Sequence, residues 1–480
     1  MKKNLIVSIA VLFMLLLIYS TASTETIKAG HYEYIVLDDN TIKITSCDAV
    51  SDQIILPEKI NGYTVSALGE YSIKDMFANV IEIPNSIISI EGNPFAYCSH
   101  LKNLSVKADH PCLAVINGVL FDKNNKALLC YPTGKTESAY TVPEGIKRID
   151  DYAFCECYKL LSITLPQSLE YIGDGAFRKC SGLTTITIPE KVTTIGSNPF
   201  CECKALKEIL FPENSNIFSI KDNSLFYTPE SRLILHFYQS GSKEFVIPEE
   251  TKIIDAYAFD NDKYLQKVII PNNVEYIGKA AFARSGLTEI TIPESVVDIG
   301  ISVFNECKYL KDVNILGKIK TIERYTFYNC RNLVRVSLPD TITTIDSEAF
   351  SRCTDLETIS LPQSLTVIGD SAFYFCLRLN NIILPEGLQT IGSAAFSECS
   401  KLEKIHIPSS VSKIGSKAFY HCDSLIISVE NNSYGQQYLR HNPGKRTATS
   451  PFCPHHPDRW QYKLLRVYVS DHTVQFPHHH

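Results

Sequence analysis

Sixteen cysteines offer this 480-residue chain two obvious chemistries, cross-linking and metal binding. Ten of them recur in phase: Cys98, Cys157, Cys180, Cys203, Cys307, Cys330, Cys353, Cys376, Cys399 and Cys422. Equivalent side chains on stacked strands point the same way from positions about 4.8 Å apart. A disulfide needs Cβ atoms roughly 3.5–4.5 Å apart and turned toward each other. A column of buried free thiols is therefore the expectation, since a small apolar residue suits close packing. Cys112 and Cys130 could bridge a hairpin in an oxidising compartment, yet a second copy of that hairpin holds Ile217 and Leu235 there, so the slots also read as apolar. Cys155-Glu156-Cys157 and Cys201-Glu202-Cys203 lack the spacing of a zinc site. Beyond residue 442, Cys453, His455, His456, His472 and His478 to His480 are metal-ligand types, beside Trp460. The plainer reading is an irregular tail. No nucleophile elbow, His-Glu-x-x-His, P-loop or dinucleotide fingerprint occurs, so no catalytic residue, cofactor or metal is assigned.

The elements that carry these cysteines repeat. Prolines stand at Pro143, Pro166, Pro189 and Pro212, then at Pro248, Pro271 and Pro293. Leu316 takes the next slot, and Pro339, Pro362, Pro385 and Pro408 follow; Pro57 and Pro84 precede the series. Phenylalanine keeps the same phase at Phe95, Phe154, Phe177, Phe200, Phe259, Phe282, Phe304, Phe327, Phe350, Phe373, Phe396 and Phe419. Residues 177–189 show one cycle: Phe177, Cys180, Leu183, Ile186, Ile188, Pro189. The alternation at Ile186 and Ile188 reads as a short half-buried strand. Pro189 ends it, having no N–H for a ladder. Ile195-Gly196 marks a second extended stretch and a turn. Ala176, Phe177, Cys180 and Leu183 are spaced by about one helical turn, which predicts a short helical or 3₁₀ piece. One such coil cannot bury its apolar side alone, but stacked coils can.

The cycle Leu-x-x-Ile-x-Ile-Pro, flanked by Ile-Gly-x-x-Ala-Phe-x-x-Cys, closely resembles the BspA-like leucine-rich-repeat family. The resemblance covers about residues 31–430. It implies a mainly β repeat solenoid, a right-handed coil of about 23-residue units with short strands and short helical or 3₁₀ turns. Residues 84–143 align with 189–248 at a constant offset of 105, without gaps. Both carry apolar–polar alternation around a polar turn, so two β-hairpin insertions are expected, at about 107–142 and 212–247. Tyr32, Tyr34, Val36, Ile42 and Ile44 around Asp38-Asp39-Asn40 predict an N-terminal hairpin cap over 24–62. The solenoid then runs over 63–430, a cap helix over 431–442 and an irregular or disordered tail over 443–480.

Residues 1–23 have the form of a cleaved export signal. Lys2 and Lys3 precede an apolar run from Leu5 to Ile18, and small residues follow at Ser20 to Ser23. With no second apolar stretch, the mature chain is expected to be secreted, extracellular or surface-associated, without a transmembrane segment. A net charge of −6 gives no reason to expect nucleic acid.

The strand residues that point away from the core form the candidate ligand-binding face. One column holds Ser162, Thr185, Glu208, Lys267, Glu289, Asp312, Arg335, Thr358, Asn381 and Lys404. The other holds Thr164, Thr187, Thr291, Asn314, Ser337, Ser360 and His406, with apolar Leu210, Ile269 and Ile383. Taken singly they are solvated strand residues. Together they form a long face of mixed charge that suits a large partner. The family resemblance implies adhesion or protein–protein interaction with a host or neighbouring-cell protein. A glycan- or cell-wall-binding module is the alternative, and a secreted hydrolase a remoter one.

Overall fold

The computed structural model describes residues 25–73, 77–96, 98–212, 215–221, 224–236, 243–431, 433–441 and 467–469. The expected export signal lies outside them, as does most of the tail with its Cys453 and histidines. The chain forms two compact units, residues 1–212 and 213–480. Among the described residues no helix is long and apolar enough to cross a membrane.

Each unit is a mainly β solenoid with two parallel ladders per coil. The first ladder carries the Ile-x-Ile strands. Thr185–Thr187 pairs in parallel with Glu208–Leu210 in the N-terminal unit, and Glu289–Ile292 with Asp312–Ile315 and then Arg335–Ser337 in the C-terminal unit. The second carries two-residue strands such as Arg148–Ile149, Tyr171–Ile172 and Thr194–Ile195. Glycine follows that second strand for steric reasons. A Cβ on Gly173 would lie 2.6 Å from the Asp151 backbone nitrogen, and one on Gly196 2.6 Å from that of Asp174.

Phenylalanine fills the middle. All twelve column rings are buried. In the C-terminal unit the rings from Phe259 to Phe419 stack with centroids 5.0–5.6 Å apart. The last three steps are parallel within 2°. Tyr438, from the helix Tyr434–His441, meets Phe419 edge-on and closes that stack. The sequence reading placed a cap helix over 431–442; the helix found spans Tyr434–His441. In the N-terminal unit Tyr131 takes a ring position 5.4 Å from Phe154, ahead of Phe177 and Phe200.

The turn around each phenylalanine differs from the expected helical piece. It is a run of tight turns with left-handed residues two positions before and two after the ring: Tyr152 and Glu156, Tyr257 and Asn261, Glu348 and Arg352. These conformations aim alternate N–H groups at the next coil. The Tyr152, Phe154 and Glu156 N–H groups donate to the carbonyls of Asp174, Ala176 and Arg178 at 2.7–2.9 Å. The N–H groups between them close local turns: Ala153 to Asp150, Cys155 to Tyr152. A left-handed non-glycine residue costs about 1–2 kcal/mol. Bonding between coils offsets that cost, and a helix, whose hydrogen bonds stay within one segment, would leave this edge of the stack unjoined. Among the described residues the one 3₁₀ segment, Thr228–Glu230, sits in an insertion.

The insertions are more than hairpins. Leu113–Ile116 pairs antiparallel with Val119–Asp122, which pairs antiparallel with Ala127–Cys130. Ala127–Cys130 then opens the parallel second ladder against Arg148–Ile149. Phe218–Lys221, Ser224–Tyr227 and Arg232–His236 repeat this arrangement ahead of Ile253–Ile254. The N-terminal cap works the same way: Ile27–Ala29, Tyr32–Val36 and Ile42–Cys47 are antiparallel, and the last joins Tyr63–Leu68 in parallel. At the far end Val467–Val469 lies parallel to Ile427–Val429.

Candidate functional site

The exposed columns named from the sequence lie on the first ladder. Its inward residues, such as Ile163, Ile186, Val313 and Val336, are buried. Their neighbours point out. Ser162, Thr164, Thr187, Glu208, Lys267, Glu289, Thr291, Arg335, Ser337, Thr358, Ser360, Asn381 and Lys404 are exposed, while Thr185, Asp312, Asn314 and His406 are half-buried. In the N-terminal unit Thr185 stands opposite Glu208, and Ser162 opposite Ala139. In the C-terminal unit the register runs Glu244, Lys267 and then Glu289, Asp312, Arg335. Bridges link Thr358, Asn381 and Lys404, and His406 faces Ser428 with Nδ1 3.0 Å from its hydroxyl.

The charges of this second stretch are arranged to answer one another. The Lys267 ammonium lies 3.7 Å from both the Glu244 and the Glu289 carboxylates. The Arg335 guanidinium binds Asp312, and that hydrogen bond makes the guanidinium hold its proton more firmly than usual. These side chains are largely exposed, so each pair contributes little to stability. What they make is a striped surface. It lines a depression of about 1200 Å³ that seven face residues share: Lys267, Glu289, Thr291, Asp312, Asn314, Arg335 and Ser337. Ile269 and Leu316 supply its apolar ground, with 42% and 45% of their surface open. Leu316 stands where most coils have proline.

Sequence reasoning missed Glu244 and Val246, which continue the face one coil earlier. The insertion before them hides their phase. The exposed Val246 at 58% and Ile383 at 73% show that the face has apolar points as well as charges.

The described cysteines take no part in this surface. The ten column thiols are buried and free. Nearly all point at the carbonyl of the ring residue one coil earlier: Cys180 Sγ donates to Phe154 at 3.1 Å, Cys330 to Phe304 at 3.0 Å, Cys422 to Phe396 at 2.9 Å. Burial pushes the Cys307 and Cys376 thiols up to about 12, which keeps them protonated and unreactive. Cys112 and Cys130 are likewise buried free thiols. The column breaks at Asp262 and Ser285. Asp262 is 3% exposed, accepts from the Tyr264 and Leu265 N–H groups at 3.2 Å, and is pushed by burial up to about 6.

The BspA type leucine rich repeat region matches residues 31–127, 130–234, 235–354 and 320–437. No curated protein matches the chain. Three solved structures are similar to it. One is a leucine-rich repeat protein from Bacteroides ovatus, 26% identical over 84% of this chain and 94% of its own, with a TM-score of 0.41. A second, from Eubacterium ventriosum, is 23% identical over 77% and 93%, with a TM-score of 0.50, and shares the fold. A leucine rich cell surface protein from Faecalibacterium prausnitzii is 24% identical over 87% and 98%, with a TM-score of 0.33. With repeats matched over most of residues 31–437, this chain belongs to the BspA-type leucine-rich-repeat family.

Proposed function

We propose that the chain is a secreted or surface-held interaction protein that docks another cell's protein, or a matrix protein, on the first ladder. One observation carries this: the depression over residues 267–337, where Glu289 and Asp312 lie between Lys267 and Arg335 around apolar Ile269 and Leu316. Such a surface matches a folded partner of mixed charge, because steering and register come from the charges and adhesion from the apolar points. It suits binding better than turnover. Its charges already satisfy one another, and it is a broad open strip without a singular acid–base pair. The basic, then apolar, then small-residue order of residues 1–23 supports export.

The test is capture on immobilised extracellular-matrix and host-surface proteins by the mature chain. A variant carrying Lys267→Glu and Arg335→Glu should weaken capture about tenfold or more while its melting is unchanged. If every captured protein stays bound at its original strength, the partner does not use this face.

A further inference from the structure

A second surface, on the turn edge of the C-terminal unit, departs from the pattern of its own column. Two positions after each phenylalanine the backbone is left-handed and the side chain faces out. Cations there, or in the coil beside, are answered by an acid: Lys179 by Glu156 at 2.7 Å, His421 by Glu398 at 2.7 Å. Arg352 is the exception. Its column neighbours are Asn329 and Phe375, and it forms no ion pair among the described residues. Among the described residues Arg331 also pairs with no carboxylate; its Nε donates to Asn329 at 2.9 Å. Arg378 is held loosely by Asp355 at 3.6 Å and Glu357 at 3.5 Å, with 59% of its side chain exposed.

These three arginines come from three successive coils and line one depression of about 510 Å³. Its ground is apolar: Leu377 and Phe375 are half-buried, and the Arg352 guanidinium carbon sits 5.9 Å from the Phe375 ring centre. An aromatic residue in the left-handed region is uncommon, and here the coil presents its ring beside the cations.

We propose that this pocket binds the sulfate groups of an acidic polysaccharide, with Arg331, Arg352 and Arg378 as ligands and Phe375 as the platform for a sugar ring. Guanidinium forks match the oxygens of a sulfate ester bidentately. The coil step here is 5.1–5.2 Å, so arginines drawn from three coils answer a linear polyanion better than one small ion. A peptide fits less well. The N–H groups of Asn329, Arg352, Asp355, Phe375 and Arg378 are spent on neighbouring coils, so none of these five is left for a peptide backbone. A sugar chain presents its polar groups as substituents and needs no such donors.

The experiment uses the whole chain, with heparin, polyglutamate and inorganic sulfate as probes at one fixed ionic strength. Heparin should bind, and Arg331→Ala, Arg352→Ala and Arg378→Ala together should weaken it about tenfold or more. Removing the same charge elsewhere, by Lys191→Ala, Lys252→Ala and Lys413→Ala, should change it less than about threefold. Phe375→Ala should weaken heparin while leaving inorganic sulfate, which needs no platform, unaffected. Melting curves establish that each variant is folded. Equal loss in the two triple variants would reduce the effect to net charge and overturn the proposal. Inorganic sulfate binding as tightly as heparin, or polyglutamate binding better through the same arginines, would overturn the polysaccharide assignment.

Discussion

The two insertions are copies of one device, fastened differently. Their registers correspond at the offset of 105, down to the irregularity at Leu120/Phe121 and at Leu225/Phe226. Leu120 and Leu225 are both fully buried. The polar fasteners differ. In the first copy His110 is buried and accepts the Leu113 N–H on Nδ1 at 3.1 Å, while Nε2 lies 3.2 Å from the Pro84 carbonyl. In the second, Ser215 offers its hydroxyl to the Phe218 N–H at 3.4 Å. One coil later the first copy has Cys157 and the second Asp262, both buried. The apolar frame thus sets the geometry, and the polar pins vary within it.

That division can be broken most forcefully at the frame. Phe154→Ala and Phe259→Ala each remove a fully buried ring from the coil after an insertion. Each should cost about 3–5 kcal/mol in denaturant unfolding. Clearly unequal losses would mean that the copies do not share one frame.

The pins should differ in pH dependence. Asp262 titrates at about 6 in the fold against about 3.9 unfolded. Between those values the folded chain keeps a proton that the unfolded chain has lost. Its contribution is therefore present at pH 4 and lost as pH rises through 6, up to about 3 kcal/mol. Asp262→Asn should raise stability at pH 7 and leave it nearly unchanged at pH 4, read from paired melts.

His110 has the opposite sign. To accept from Leu113 and donate to Pro84 the ring must be neutral, and burial lowers its tendency to take a proton. Its contribution is present above the unfolded value of about 6.5 and fades as pH falls below it. His110→Ala should cost about 1–3 kcal/mol at pH 7.5 and less at pH 5.5. Ser215→Ala, the counterpart, should cost only about 0.5–1 kcal/mol at either pH. A pH-independent loss at His110 would deny the neutral-ring fastener.

Much of this was legible because the coil repeats. Columns of phenylalanine, cysteine and isoleucine are averages over many copies, so ring burial, free thiols and outward strand residues could be read directly. The left-handed turns were missed, although a signal existed. None of Tyr152, Glu156, Tyr257, Asn261, Glu348 or Arg352 is β-branched, and those columns avoid Val, Ile and Thr throughout. Helical spacing around Phe177 and Cys180 hid that avoidance. The insertions were read as hairpins because alternation shows strands but not their partners; only the register reveals that Ala127–Cys130 opens a parallel ladder. The Arg331–Arg352–Arg378 pocket was invisible because it is a break in a column, and a single break carries no periodicity.

The thiol column ties the fate of the chain to the order of events at its birth. Once the coils close, the column sulfurs are out of an oxidant's reach. Before closure the same sulfurs lie spaced along an open strand, free to couple with any other. A chain meeting an oxidant early would be locked into tangles, and one meeting it late would be indifferent.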